Sequence, residues 1–190
     1  MSELTLMDED AIREAVDRLA GDLAGRYPRA AGLALVGLRT RGEFLAKRLA
    51  RALDGLVGAT VPVGALDVTV YRDDFDALQD EIRVRGSQID FEPRGRHIVL
   101  VDDVLFTGRS ARAAMDAVIT RGRPSSIGLL VLVDRGHREL PIQADWVGRR
   151  VETAREDRVR VRLREVDGMD RVVLVRANDT GADERGRSAA

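Results

Sequence analysis

Residues 97 to 110 read His-Ile-Val-Leu-Val-Asp-Asp-Val-Leu-Phe-Thr-Gly-Arg-Ser, with two carboxylates behind an apolar run and a small polar loop ahead of an amphipathic stretch. The apolar run has the character of a buried strand, and the amphipathic stretch from Ser110 to Arg121, closed by Gly122 and Pro124, that of a helix. Ligands of an open parallel sheet bind beyond the carboxyl ends of its strands, where Asp102 and Asp103 stand. Thr107, Gly108, Arg109 and Ser110 offer hydroxyls and free N–H groups at the positive end of a helix dipole, a place suited to a phosphate monoester. Val104, Leu105 and Phe106 carry the chain between acids and cradle. Carboxylates beside a phosphate repel it unless they face sugar hydroxyls or a magnesium ion. Acids and cradle together therefore describe a site for a ribose phosphate. An Asp pair alone is more often an ordinary strand end; strand, acids, loop and helix in register favour the chemical interpretation.

A second loop complements the first. Leu-Val-Gly-Leu-Arg-Thr-Arg-Gly, residues 35 to 42, puts Arg39, Thr40 and Arg41 between Gly37 and Gly42, after a strand and before a helix, ready to hold another anion. Alone it equally fits solvated arginines between two turn glycines. The stretch from Arg135 to Val159 leaves the carboxyl end of a strand and returns to a strand near Val159, which makes it the natural pocket for a base.

Positioning these groups takes an α/β framework. Asp8 caps a helix to about Arg26 whose Ile12, Val16, Leu19 and Leu23 recur at spacings of three and four. Leu33 to Val36 and Ile127 to Val133 are further buried strands, a helix runs from Glu43 to about Leu53, and a strand from about Val63 to Tyr71. Continuous apolar strands alternating with helices imply a mainly parallel sheet covered on both faces. Residues 72 to 95 are charged and lack a sustained apolar run, a length more typical of a mobile lid than of a connector, with Arg72, Asp73 and Asp74 at its hinge. Arg158 to Arg164 alternates strictly, Asp167 and Gly168 suggest a turn, and Arg171 to Val175 returns as a C-terminal β-hairpin. Residues 1 to 176 are expected to form one domain, and 177 to 190 a disordered tail.

The composition sets outer bounds. The 190 residues are 44% apolar and 33% charged, as a globular protein should be, and at 4% aromatic the core must be aliphatic. A formal charge of −1 excludes a uniformly basic surface, so nucleic acid would have to be met by a local patch. Without cysteine there is no thiolate nucleophile and no Cys-ligated zinc. The absence of a membrane-length apolar run and of a signal-peptide pattern leads us to expect a soluble cytoplasmic protein.

The run at 97 to 110 resembles the PRPP-binding motif of type I phosphoribosyltransferases, where PRPP is phosphoribosyl pyrophosphate, and Arg39, Thr40, Arg41 and Gly42 resemble the pyrophosphate loop of that family. Asp-Val-Thr-Val-Tyr-Arg-Asp-Asp at 67 to 74, Gly-Arg-Pro-Ser-Ser-Ile at 122 to 127 and Val-Asp-Arg-Gly-His-Arg-Glu-Leu-Pro-Ile at 133 to 142 resemble the PyrR family of pyrimidine operon regulators, over roughly residues 8 to 176. The resemblance implies conversion of uracil and PRPP to UMP and pyrophosphate with Mg2+, carried mainly by PRPP with indirect help from Asp102 and Asp103. It also implies control of a pyrimidine operon by UMP or UTP through leader mRNA, in a homodimer or higher homo-oligomer. Catalysis would fall to Asp102, Asp103 and Arg72, and base recognition to Arg135 and the backbone around Val159. A phosphoribosyltransferase for hypoxanthine, guanine or orotate remains open wherever the base pocket differs.

In RNA-binding members the first helix and the Asp-Arg-Gly-His-Arg loop resemble contributors of basic groups, and here Arg13, Arg18, Arg135, His137 and Arg138 occupy them. Glu14 and Asp17 depart from that pattern and would repel phosphates. Arg158, Arg160, Arg162 and Arg164 share one face of a strand, either as the charged guard of a sheet edge or as an RNA contact.

Overall fold

The structure is a computed structural model that describes residues 3–68 and 87–177. Five parallel strands lie in the order β3-β2-β4-β5-β6: β2 (Leu33–Leu38), β3 (Val63–Leu66), β4 (His97–Leu105), β5 (Ser126–Asp134) and β6 (Trp146–Arg150). Strand β2 is buried along its whole length and β4 and β5 along most of theirs, because helices cover both faces of the sheet. On one side α1 (Glu9–Arg26) and α2 (Arg41–Val57) pack Ile12, Leu19, Leu45 and Leu49 onto Leu35, Val99 and Leu130. On the other, α3 (Arg109–Arg121) sets Ala111, Ala114 and Val118 against Val36, Leu100 and Val131. The expected α/β class and parallel sheet are what the chain adopts.

Asp8 caps α1 as expected, its side chain accepting from the Ala11 N–H at 2.9 Å. Three other features depart from expectation. Strand β4 runs four residues past Val101, so the acids lie within it and only Phe106, Thr107 and Gly108 remain between strand and helix. Gly42 belongs to the first turn of α2, not to the preceding loop. The strand that follows β5 in the parallel sheet is β6, whereas the one near Val159 is β7 (Arg158–Arg162) of a separate antiparallel sheet.

That smaller sheet contains the expected hairpin, β7 with β8 (Arg171–Val175), joined by the helical turn Arg164–Asp167, and adds β1 (Glu3–Met7), which pairs with β8. Arg164 therefore leaves the strand and bonds Glu9 through its guanidinium, while Arg162 bonds Glu3. Val161, Leu163, Val172 and Met7 share one apolar cluster with α1, α2 and the large sheet, so the two sheets are held by a common core. Residues 69 to 86 and 178 to 190, which include Arg72, most of the expected lid and nearly all of the expected tail, lie outside the described residues. The described end of the lid segment is laid back on the framework: Gln88 exchanges backbone hydrogen bonds with Ala65 at 2.7 and 2.8 Å, and Ile89 and Phe91 pack on the α3 side of the core.

Candidate active site

Successive strand residues alternate faces, and the two acids differ accordingly. Asp103 is buried at 6% exposure, and no hydrogen-bond or ion-pair partner engages its carboxylate among the described residues. Asp102 is half-buried and accepts the Asp103 N–H at 2.9 Å. Asp103 is thus an interior acid of β4, on the same strand face as Val99 and Val101, which pack in the core on the α1 and α2 side. A buried carboxylate is costly unless hydrogen-bonded, and the hydroxyls of a ribose are groups that could satisfy it.

The cradle follows directly. Thr107 is buried, its Oγ1 accepting the Arg109 N–H at 3.3 Å. Gly108, at φ 95°, turns the chain into α3, and a Cβ there would lie 3.4 Å from Ile142 Cβ. The Arg135–Ile142 side of the site is bound to the cradle from behind: the Thr107 carbonyl accepts the N–H groups of Glu139 and Leu140 at 3.0 and 3.2 Å. Arg138 donates to the carbonyls of Phe106, Gly136 and Ile142 at 2.8, 2.9 and 3.0 Å and pairs with Asp134. His137 Nε2 meets the Thr153 carbonyl at 2.7 Å. Arg138 and His137, which the sequence suggests for RNA, are here bonded within the chain, Arg138 to the loop before α3 and His137 to the carbonyl of Thr153.

The anion loop comes up against the acids by close backbone approach. A Cβ on Gly42 would fall 2.3 Å from the Val101 carbonyl oxygen and 3.2 Å from Asp102 Cα, and one on Gly37 would meet the start of α2 at 2.4 Å. These glycines admit backbone where a side chain would not fit; neither is a left-handed turn residue. Arg39 and Thr40, joined by a cis peptide, form the whole connection between β2 and α2. Arg39 bonds Glu43 at 3.1 Å, and Glu43 also receives Lys47 at 2.7 Å; the Lys47 hydrogen bond, then the charges of Lys47 and Arg39, hold the Glu43 carboxyl below the usual range against its partial burial. Arg41 does not face the site. It forms a two-point pair with Asp167, at 2.8 and 3.2 Å, that joins α2 to the hairpin connection.

Across from the cradle opens a cleft of about 480 Å³ lined by Val104, Phe106, Ser110, Arg135, Arg155 and Val159, among others. Arg135 is buried with its guanidinium 4.1 Å from the centre of the Phe106 ring, donating to the carbonyls of Ala154 and Arg155 at 2.9 and 3.1 Å. The structure thus brings Arg135 and Val159 into one cleft with Phe106 and Ser110 of the cradle region. Phe106 acts as more than a link in the loop: Arg135 lies over it, His137 meets its edge at 6.0 Å, and Arg155 stands 5.8 Å away. Glu139 and Arg155 escaped sequence reasoning. Glu139 receives Arg109 at 2.9 Å and also Arg155, and these two partners, Arg109 first, hold its carboxyl below the usual range. Their signal was position alone, one inside the 133 to 142 motif and one in the stretch that closes the pocket.

The helix arginines stand elsewhere. Arg13 pairs with Asp10 at 2.8 Å, and Arg18 donates to the carbonyls of Val147 and Gly148, at 3.3 and 2.7 Å, fastening α1 to β6.

A phosphoribosyl transferase domain matches residues 5–161. The chain is 50% identical over 172 residues to a bifunctional protein PyrR from Alkaliphilus metalliredigens, covering 90% of this chain and 94% of that one. It is equally 50% identical to the bifunctional protein PyrR of a Roseiflexus species, over 95% of this chain and 99% of the relative. The chain belongs to the PyrR family. Among solved structures this PyrR-family chain resembles the hypoxanthine phosphoribosyltransferase of Trypanosoma cruzi, with a TM-score of 0.71 over 92% of this chain and 97% of that one. The hypoxanthine phosphoribosyltransferase of Staphylococcus aureus gives 0.70 over 93% and 94%. At 21% and 18% identity these two share the fold with this chain, which supports the parallel sheet and nothing about the base.

Proposed function

We propose that this chain transfers a phosphoribosyl group from PRPP to uracil, giving UMP and pyrophosphate, and that it responds to UMP or UTP by binding the leader mRNA of a pyrimidine operon. The observation that carries the enzymatic half is the meeting of three features. The buried Asp103 carboxylate, the Gly108 turn at the head of α3, and the cleft walled by Arg135 and Val159 converge at the carboxyl ends of β4 and β5. The regulatory half is supported by half-identity, along nearly the whole chain, to relatives described as bifunctional.

In this mechanism the N–H groups and hydroxyls of residues 107–110 hold the 5-phosphate, and Asp103 with Asp102 accepts the ribose hydroxyls and fixes the sugar. Cleavage of the bond between C1 and pyrophosphate ahead of attack by uracil N1 develops oxocarbenium character, so compensation of the departing charge matters most. Arg39, in the loop between β2 and α2, would take that task by exchanging its bond to Glu43 for the pyrophosphate, and Arg41 would act only through the loop it anchors. Among the described residues no group of three or more His, Asp or Glu side chains could hold a metal alone, and magnesium bound by one or two carboxylates plus substrate phosphates fits the Asp pair. When bound with PRPP, magnesium would neutralise pyrophosphate oxygens. Arg135 and backbone groups around Val159 would meet the two carbonyls and N–H of uracil, with Phe106 as the flat wall. Arg72 and the lid would exclude water from PRPP.

No helix of the described residues is long and apolar enough to cross a membrane. A cytoplasmic homodimer or higher homo-oligomer is part of the proposal. The decisive assay is a panel of uracil, hypoxanthine, guanine and orotate with PRPP, with and without divalent metal. UMP formed only from uracil and only with metal is expected; turnover of a purine with none of uracil would overturn the base assignment.

A further inference from the structure

Glu139 ties the head of α3 to Arg155 of the cleft in a way the transfer reaction does not use. Its backbone N–H bonds the Thr107 carbonyl at 3.0 Å, so the residue is fixed to the back of the phosphate cradle. Its carboxylate takes Arg109, the first residue of α3, at 2.9 and 2.8 Å, and takes Arg155 from the opposite wall of the cleft. Arg155 approaches the Phe106 ring, and the cleft also carries Arg158 and Arg160. A carboxylate thus neutralises one arginine of the cradle and one of the pocket, beside a place where a phosphate is to bind.

We propose that Glu139 is a positioning residue that limits the affinity of the site for its phosphorylated ligand. An incoming phosphate competes with Glu139 for Arg109, and the carboxylate left nearby repels it. The two arginines would otherwise be free to close on the phosphate with charge-assisted hydrogen bonds. Product held too tightly leaves too slowly, and release limits turnover in many enzymes. Glu139 therefore trades binding strength for release and keeps occupancy of the site responsive to nucleotide concentration. The inference rests on the proposed phosphate site, and only its expression in turnover depends on uracil being the base.

The test is Glu139→Gln, which keeps shape and removes charge, measured by calorimetric titration with ribose 5-phosphate and with UMP at two salt concentrations. Expected is about 5- to 10-fold tighter binding of both ligands, a steeper loss of affinity with salt, and a lower kcat whose decline tracks slower UMP release. Glu139→Asp, too short to hold both arginines, should fall between the two. Weaker or unchanged binding of both ligands by a folded Glu139→Gln variant would overturn the proposal, as would tighter binding without a change in salt dependence. If wild-type protein makes no UMP yet the variant binds ribose 5-phosphate more tightly, the uracil assignment fails and the role of Glu139 stands.

Discussion

Asp103 is a side chain that the fold does not use and the chemistry does. The residue is 6% exposed and no partner engages its carboxylate among the described residues, so the acid contributes no hydrogen bond or ion pair to the fold. Asp103→Asn should consequently lower kcat by about 100-fold or more while leaving Tm nearly unchanged, since no bond of the fold is lost with the carboxylate. Calorimetry beside the UMP assay checks both halves; a variant with lowered Tm and normal turnover would show that the acid serves the fold. The acid pair and the cradle were legible in sequence because both are contiguous and tied to a strand-to-helix junction. The burial of Asp103 was not, since it depends on how far β4 runs past the apolar residues 98 to 101. Arg41 and Arg138 illustrate the same limit: an arginine in a loop looks the same in sequence whether it awaits an anion or is already paired with Asp167 or Asp134.

Between elements, the hairpin connection is fastened to α2 by charge. Arg48 donates to Glu165 at 2.6 and 2.9 Å and to Asp170 at 2.8 Å, beside the Arg41 pair with Asp167. Burial alone would raise the carboxyls of Asp167 and Asp170, but arginine hydrogen bonds and backbone N–H groups outweigh it; Glu165 is lowered chiefly by Arg48. A carboxyl with a lowered folded pKa binds fewer protons folded than unfolded, so stability rises with pH through that range. The contribution is full above the unfolded values of about 3.9 to 4.3 and is lost as pH falls below them through the folded values. Arg48→Met should flatten this acid limb and cost about 2 to 3 kcal/mol at neutral pH, less than a fully buried pair because the Glu165 side chain is 32% exposed. Urea melts from pH 3 to 7 measure it; parallel curves for variant and wild type would contradict the assignment. Sequence patterning found the long buried strands and missed β1 and β6. Trp146–Arg150 is half-exposed and ends in two arginines, so it shows no apolar run, and Glu3–Met7 is a strand only because β8, distant in sequence, supplies its ladder.

For the whole molecule a net charge of −1 leaves RNA binding to local groups, and the structure separates those that are spare from those already committed. Arg13 has a side chain 62% exposed and pairs only with Asp10 among the described residues, whereas Arg138 holds three carbonyls and Asp134. Leader RNA of a pyrimidine operon should bind with a shallow salt slope, about −0.7 to −0.9 per phosphate contact, and more tightly with UMP. Arg13→Ala should weaken binding several-fold at unchanged Tm, while Arg138→Ala should lower Tm and UMP formation together with RNA affinity. Filter binding across salt concentrations reads the slope, and no specific binding at low salt would leave an enzyme without an attenuator role. The pairing of Glu3 with Val175 across the small sheet also bears on how the chain is made. Strand β8 lies between β1 and β7, so on a ribosome β1 must wait for β8, while β2, β4 and β5 can assemble earlier around α1 and α2. The hydrophobic side chains of Val161, Val172 and Met7 then find their common core only after translation has passed residue 175, which makes closure of the small sheet a late step in the birth of the molecule.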